Sequence, residues 1–154
     1  MVTTELIETL ELKDPEALLR FPWPYDNESV REITCLNVFE FIPGRDRGRF
    51  MDEIYRILVP EGTLKIACLH WNNAIAYHDY RIQWPPVAEQ SFLIFNRDWR
   101  EKNNKTVDLK CNFDFTYGYN YEPDIALRSA ETQAFQGRHY SNTAHDVQLV
   151  MKKL

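Results

Sequence analysis

The sequence predicts an α/β domain with parallel strands at the centre of its sheet and an antiparallel β-hairpin at its C-terminal end. An apolar, β-branched run over residues 30–38 precedes an amphipathic segment over 45–58 and a second apolar run over 63–69. Strand, helix and strand with short connections are typical of a right-handed parallel crossover. Polar and apolar residues alternate over 107–121 and 145–154, which predicts the two strands of the hairpin.

The segment over residues 45–58 is predicted to form a helix that lies on the sheet. Its apolar residues recur at helical spacing and its charged residues fall on the opposite side. The apolar residues are Phe50, Ile54, Ile57 and Leu58. The sequence "VPEG" over 59–62 has the composition of a turn, and we expect Gly62 to take a positive φ there.

The flanking segments give weaker patterns. Residues 5–12 alternate loosely, which favours a strand over a short helix. Residues 13–29 contain three prolines and are predicted to be mostly loop, with a helical turn at 16–19. A further helix is predicted to begin near Pro86, and residues 122–144 have room for a short one. The aromatic residues along one stripe of the helix near Pro86 are Phe92, Phe95 and Trp99.

Composition narrows the classes of function. A chain of 154 residues that is 44% hydrophobic is predicted to form one domain over 1–154. The net charge of −5 argues against a nucleic-acid partner. The sequence has no apolar run of about 18 residues and no signal-like N-terminus, so we expect no membrane segment. Its three cysteines form no CxxC pair, which favours a reduced, cytoplasmic protein.

Two stretches carry a family resemblance. They are "FPWPYDNESVREITCLNVFEFI" over 21–42 and "FMDEIYRILVPEGTLKIACLH" over 50–70. Together they resemble the second half of class I S-adenosylmethionine-dependent methyltransferases of the methyltransferase-11 type, above all the small phage and bacterial members, and the match is good over 12–70. The resemblance implies a truncated Rossmann-like methyltransferase fold, S-adenosylmethionine as cofactor, and methyl transfer by in-line displacement.

The chain departs from this family in its glycines. The family holds its cofactor with a glycine-rich turn after the first strand, where backbone N–H groups approach the ligand. This chain has five glycines, none in a GxG pattern and none before residue 44. The resemblance therefore implies that the first strand and its turn are missing, which would expose an edge of the strand over 30–38. We expect the strand over 5–12, a partner chain or a second copy in a homo-oligomer to cover that edge.

The resemblance also suggests cofactor-binding residues. Asn37 stands where the family has the first His of its "HvLEHi" stretch, Val38 follows it, and Glu40 is retained. Asp14 lies near the position where family members hold an acidic residue against the adenine. From the residues themselves, a turn or cap role suits Asn37 equally well, and an N-cap or Asx-turn before Pro15 is favoured for Asp14.

A polar cluster follows the strand over 63–69, where the family's acceptor substrate enters. We predict His70 and Asp79 as catalytic residues, because a neutral His can act as a general base. The residues predicted to bind substrate are Trp71, Asn72 and Arg81. The alternative is a solvated polar loop. Cysteine, histidine and aspartate occur here without the ligand spacing of zinc sites, so no metal is predicted.

Two functions of different classes are consistent with these patterns. The first is a methyltransferase whose glycine-rich half comes from another polypeptide. The second is a non-catalytic descendant that keeps the fold as a binding or assembly module, because a fold does not fix an activity. Aromatic residues make up 14% of the chain and concentrate after residue 70. They indicate either core packing or an aromatic ligand pocket.

Overall fold

The computed structural model describes residues 5–154 and contains one five-stranded sheet. The strand order is β1-β2-β3-β5-β4. The strands are β1 (Ile7–Leu12), β2 (Val30–Leu36), β3 (Leu58–Leu69), β4 (Phe113–Tyr121) and β5 (Ala144–Lys153). The first three are parallel, whereas β5 pairs antiparallel with both β3 and β4. The predicted parallel centre and closing antiparallel hairpin are confirmed.

Six α-helices are found in the described residues, and most are short. They are α1 (Pro15–Leu18), α2 (Gly44–Ile57), α3 (Ile75–His78), α4 (Arg97–Lys102), α5 (Pro123–Ala126) and α6 (Ala130–His139). Two 3₁₀ helices span Phe39–Phe41 and Glu89–Phe95. Within the described residues, no helix is both long enough and apolar enough to cross a membrane.

Helix α2 supplies much of the core, as its apolar spacing predicted. Phe50, Met51, Ile54 and Ile57 are fully buried. They pack with buried residues of the sheet, chiefly Ile33, Leu64, Ile66 and Leu149. Removing such side chains from water contributes roughly 1.5–3 kcal/mol each, so this one face accounts for a large share of the stability.

Strand β1 covers the edge of β2. The two strands run parallel, and their register extends from Ile7 opposite Val30 to Leu12 opposite Cys35. The strand predicted over 5–12 therefore occupies the edge that a missing strand would leave bare. Of the three alternatives given for that edge, the N-terminal strand is the one found, and a partner chain or second copy elsewhere stays a prediction. The outer edge of β1 faces no other strand in the described part of the chain.

The turn between α2 and the main part of β3 differs from the prediction. Glu61 takes the positive φ, at 64°, whereas Gly62 does not. Glycine is required at position 62 by close packing instead. A Cβ there would lie 2.8 Å from the carbonyl oxygen of Val59 and 3.1 Å from that of Arg31. These are backbone atoms and cannot move aside cheaply.

We expect Gly62→Ala to lower the free energy of unfolding by about 2 kcal/mol, because overpacking against backbone costs roughly 1–3 kcal/mol. The matched control is Gly118→Ala in β4, where an added Cβ meets no atom within 4 Å. Urea unfolding of both variants checks the prediction. Equal stabilities for the two would contradict the close approach at Gly62.

The C-terminal half departs from the predicted boundaries. The helix predicted near Pro86 is interrupted at Asn96, whose extended backbone ends the 3₁₀ helix and whose side chain caps α4 by accepting from the N–H of Trp99. The strand predicted over 107–121 begins only at Phe113. The Asp52 carboxylate accepts from the N–H groups of Lys110 and Cys111, which ties this stretch to α2 instead of to the sheet.

Candidate functional site

Two clefts open near the carboxyl ends of the parallel strands, where ligands bind in open α/β sheets. The first cleft encloses about 690 Å³ beside the ends of β1 and β2. Its lining includes Lys13, Asp14, Asn37, Phe41, Arg81 and Gln83. The structure thus brings together two predicted cofactor residues and one predicted substrate residue, from three separate stretches of the chain.

The two cofactor candidates at the first cleft also have local structural roles. Asp14 caps α1, because its carboxylate accepts from the N–H of Glu16 at 3.1 Å. Asn37 has a φ of 56°, and its N–H donates to the carbonyl of Ala67 at 2.7 Å, which fixes the end of β2 against β3. The side chain of Val38, the third candidate, is buried in the core. Only its backbone is left to meet a ligand.

Asp79 is bound to Arg81 in a two-bond ion pair. The guanidinium donates to Oδ1 at 3.0 Å and to Oδ2 at 2.7 Å. These bonds, with one from the backbone N–H of Arg81, lower the pKa of Asp79 to about 2. A carboxylate with so low a pKa is a poor proton acceptor at neutral pH. The ion pair orients Arg81 at the first cleft, and the catalytic role of Asp79 stays a prediction.

The second cleft encloses about 450 Å³ between the end of β3, β4 and α6. Its lining includes His70, Trp71, Glu89, Tyr117, Tyr119 and Tyr121. The three tyrosines alternate along β4, so they lie on one face of the sheet. The aromatic stretch of the sequence therefore serves both predicted purposes: Phe113 is core, and the tyrosines line a pocket.

Both ring nitrogens of His70 are used inside the protein. Nδ1 accepts from the N–H of Asn72 at 3.2 Å, which places the ring proton on Nε2, and Nε2 lies 3.3 Å from Oε2 of Glu89. Burial lowers the pKa of His70 against the opposing effect of Glu89. Both ring nitrogens are engaged inside the protein in this structure, and the general-base role of His70 stays a prediction.

Glu89 was not identified from the sequence. The pKa of Glu89 is lowered overall. Burial acts to raise this pKa, but the combined effect of the Tyr119 hydroxyl, the backbone N–H of Glu89 and His70 is larger and lowers it. The carboxylate is therefore ionised. It is also largely shielded, with a side chain only 14% exposed. A single Glu in "PPVAEQSF" carries no signal that would have marked it.

Asn72 joins β3 to the chain that enters β5. Its Nδ2 donates to the carbonyls of Tyr140 at 2.7 Å and Gly137 at 3.3 Å. Its Oδ1 accepts from the N–H groups of Thr143 at 2.6 Å and Ala144 at 2.9 Å. All four positions of the amide are filled and the residue is buried. The side-chain amide of Asn72 thus holds the chain in this structure, and its predicted substrate contact stays a prediction.

Glu40 is buried where β2 and β3 end. It is 2% exposed, and its Oε2 has no hydrogen-bond partner. Burial is the main cause that raises its pKa to about 7, and the nearby charge of Asp146 adds to it. The Leu69 backbone and the charge of Arg47 act in the opposite direction. Glu40 is the one acid retained from the "HvLEHi" stretch. It lies in the interior and lines neither of the two clefts.

The segment that follows Arg81 is tied to the strand ends on both sides. The N–H of Gln83 donates to the Glu40 carbonyl at 2.9 Å, and the N–H of Trp71 donates to the Val87 carbonyl at 2.8 Å. The buried Arg47 donates to the carbonyls of Gln83 and Pro85. Residues 83–87 are therefore fixed against the strand ends, whereas His78, Tyr80 and Arg81 before them are exposed, in agreement with the solvated loop that the sequence allowed.

Comparison with known proteins yields similarity of structure alone. No protein-family model and no curated protein matches the chain. A SAM-dependent methyltransferase from Archaeoglobus fulgidus superposes over 92% of this chain and 66% of its own, at 9% identity and a TM-score of 0.55. A putative methyltransferase of Haloferax volcanii, in complex with the Trm112 activator, covers 86% and 57%, at 18% identity and 0.50. The [4+2]-cyclase SpnF covers 88% and 53%, at 14% identity and 0.52.

These similarities extend over most of this chain, which in turn spans between 53% and 66% of the three structures. Identities of 9–18% carry the fold and no further property. The topology of this chain agrees with that fold, since it has parallel strands, the crossover helix α2 and closing antiparallel strands. The chain therefore has a Rossmann-like fold of the class I SAM-dependent methyltransferase type.

Proposed function

We propose that this chain forms part of a SAM-dependent methyltransferase whose cofactor site is completed by a partner chain. The observation that carries the proposal is the first cleft. It lies at the carboxyl ends of β1 and β2 in a methyltransferase-type sheet, and it gathers Asp14, Asn37 and Arg81. Its volume of about 690 Å³ is within the range of small-molecule sites. When bound, SAM supplies the methyl group.

The first cleft fits the cofactor only in part. Lys13 and Arg81 offer cations for the carboxylate of its amino acid end, and Asp14 and Glu16 offer acceptors for its ammonium or ribose hydroxyls. Two backbone positions offer no donor where β1 leads into α1. Pro15 has no N–H, and the N–H of Glu16 is bonded to Asp14. Glycines are absent from this connection as well.

A partner chain that brings a glycine-rich turn would supply the missing donors. The Haloferax volcanii methyltransferase is solved in complex with an activator, which supports assembly with a second polypeptide as a strategy compatible with this fold. The outer edge of β1 is the free sheet edge nearest the first cleft and is where we place the partner. A second copy of the chain brings no GxG turn, so a heteromeric partner is favoured over a homo-oligomer for this purpose.

Titration calorimetry with S-adenosylmethionine and S-adenosylhomocysteine, with the mass in solution recorded in parallel, tests the proposal. We expect the isolated chain to bind both ligands with a Kd weaker than about 100 μM, because part of the cofactor would stay unpaired. Adding a partner that carries the glycine-rich half should tighten binding by about 100-fold or more. Micromolar binding to the chain alone would contradict the need for a partner.

The second candidate is a binding or assembly module without methyltransferase activity. It is favoured by the engagement of the predicted bases: both nitrogens of His70 are bonded, and Asp79 is paired with Arg81. The two clefts also share no lining residue. A stable homo-oligomer that shows no affinity for either ligand, with or without other chains, would support this candidate over the first.

A further inference from the structure

The second cleft contains a shielded carboxylate that no lysine or arginine of the described chain neutralises. Oε2 of Glu89 lies 3.3 Å from Nε2 of His70, and the Glu89 side chain is 14% exposed. Within residues 5–154, no lysine or arginine forms an ion pair with it. Arg138 also lines the cleft, but its side chain is exposed and lies outside ion-pair distance of Glu89. A shielded, unneutralised carboxylate favours a cation in the space beside it.

The rings around this carboxylate are arranged to meet a ligand. Tyr117 and Tyr119 meet at an interplanar angle of 66°, and Tyr119 and Tyr121 at 57°, so neither pair is stacked face to face. Tyr117 is 55% exposed and Trp71 is 38% exposed, although both are large aromatic residues beside a cavity. Aromatic faces carry partial negative charge and attract cations within about 6 Å.

We infer that the second cleft is a binding site for a small organic ammonium ion, with Glu89 as its counter-charge and Trp71, Tyr117, Tyr119 and Tyr121 as its aromatic wall. The carboxylate and the faces of the rings both attract a positive charge. A neutral hydrogen-bonding ligand would gain nothing from this attraction. His70 holds the carboxylate in place through Nε2, which lies 3.3 Å from Oε2 of Glu89. This inference needs no cofactor, so it stands or falls separately from the proposed methyltransferase function.

Choline chloride and 3,3-dimethylbutan-1-ol are the probes, because they have nearly the same shape and differ by one positive charge. Binding is followed by NMR titration of the whole chain, read from the Trp71 indole and the backbone of β4. We expect choline to saturate with a Kd below about 5 mM and the neutral alcohol to bind at least about tenfold more weakly. Signals of the first cleft should not move.

Two variants test the named groups. Glu89→Gln keeps the shape of the side chain and removes its charge, and we expect choline affinity to fall about tenfold or more. Tyr117→Leu removes one exposed ring and should weaken choline about threefold, in line with one cation–π contact. The matched control is Tyr80→Leu at the first cleft, where the ring is 92% exposed, and it should leave choline binding unchanged.

Equal affinity for choline and the alcohol would overturn the inference, as would an unchanged affinity in Glu89→Gln. The absence of saturable choline binding up to about 50 mM would overturn it as well. If Glu89→Gln fails to fold, as circular dichroism would show, the comparison of charged and neutral probes with Tyr117→Leu still decides the matter, because Tyr117 is largely exposed and its loss leaves the core intact.

Discussion

Arg47→Ala is expected to lower the free energy of unfolding by about 3–4 kcal/mol. Arg47 is 6% exposed and donates three hydrogen bonds to backbone carbonyls: to Ile42 at 2.9 Å, Pro85 at 2.6 Å and Gln83 at 3.2 Å. Its guanidinium also lies 5.0 Å from the centre of the Phe39 ring. Truncation leaves these buried carbonyls without a donor, which costs roughly 1–3 kcal/mol for each carbonyl. Water that enters the space left by the side chain offsets part of this cost.

Two further variants separate the contribution of the three guanidinium hydrogen bonds from that of the positive charge. Arg47→Lys keeps the charge but cannot reach three carbonyls at once, so we expect a loss of about 2 kcal/mol. Arg45→Ala on the same helix removes a side chain that is 86% exposed and should change stability by less than about 0.5 kcal/mol. Urea unfolding measures all three. A loss below about 1 kcal/mol in Arg47→Ala would contradict the role of Arg47 in fixing residues 83–85.

Glu40→Gln is expected to remove a pH dependence of stability. The pKa of Glu40 is about 7 in the folded chain, against a usual value of 4.5, chiefly because of burial. Between these values the folded state holds a proton that the unfolded state has released. The contribution of Glu40 to the free energy of unfolding therefore falls as pH rises from about 4.5 to about 7, by about 3 kcal/mol in total, and is constant above that.

The difference in stability between Glu40→Gln and the unaltered chain isolates this group from every other titrating group. We expect the variant to gain about 3 kcal/mol relative to the unaltered chain between about pH 5 and about pH 8. Glu8→Gln, at a solvent-exposed position of β1, is the control and should show no such gain. A difference that stays flat across this range would show that Glu40 is ionised throughout or reached by water.

The sequence predicted the central elements because their patterns are local. The apolar spacing of α2 and the β-branched run of β2 each specify one element and its buried face. The start of the strand predicted over 107–121 was wrong, because the carboxylate of Asp52, distant in sequence, accepts from the N–H groups of residues 110 and 111. Gly62 was assigned to the right turn for the wrong reason, since close backbone contact is not visible in a turn motif.

The sequence indicated where the candidate residues lie but not which partners they have, and their functional roles stay predictions. Residue type and strand ends placed Asp14, Asn37 and Arg81 at one cleft and His70 with Trp71 at another. What these groups do depends on partners that the sequence does not pair with them. The carbonyls around residue 140 fill the amide of Asn72, and Glu89 engages His70. Hydrogen bonds between residues so far apart in sequence depend on the tertiary structure, which local sequence patterns do not reveal.

Chemical-shift mapping of S-adenosylhomocysteine on the ¹⁵N-labelled chain tests the cofactor half-site, because it reports where a cofactor-like ligand binds even when binding is weak. We expect saturable shifts at Lys13, Asn37 and Arg81, with the tyrosines of β4 unaffected. Shifts confined to the second cleft, or none up to about 10 mM ligand, would contradict a cofactor half-site at the ends of β1 and β2.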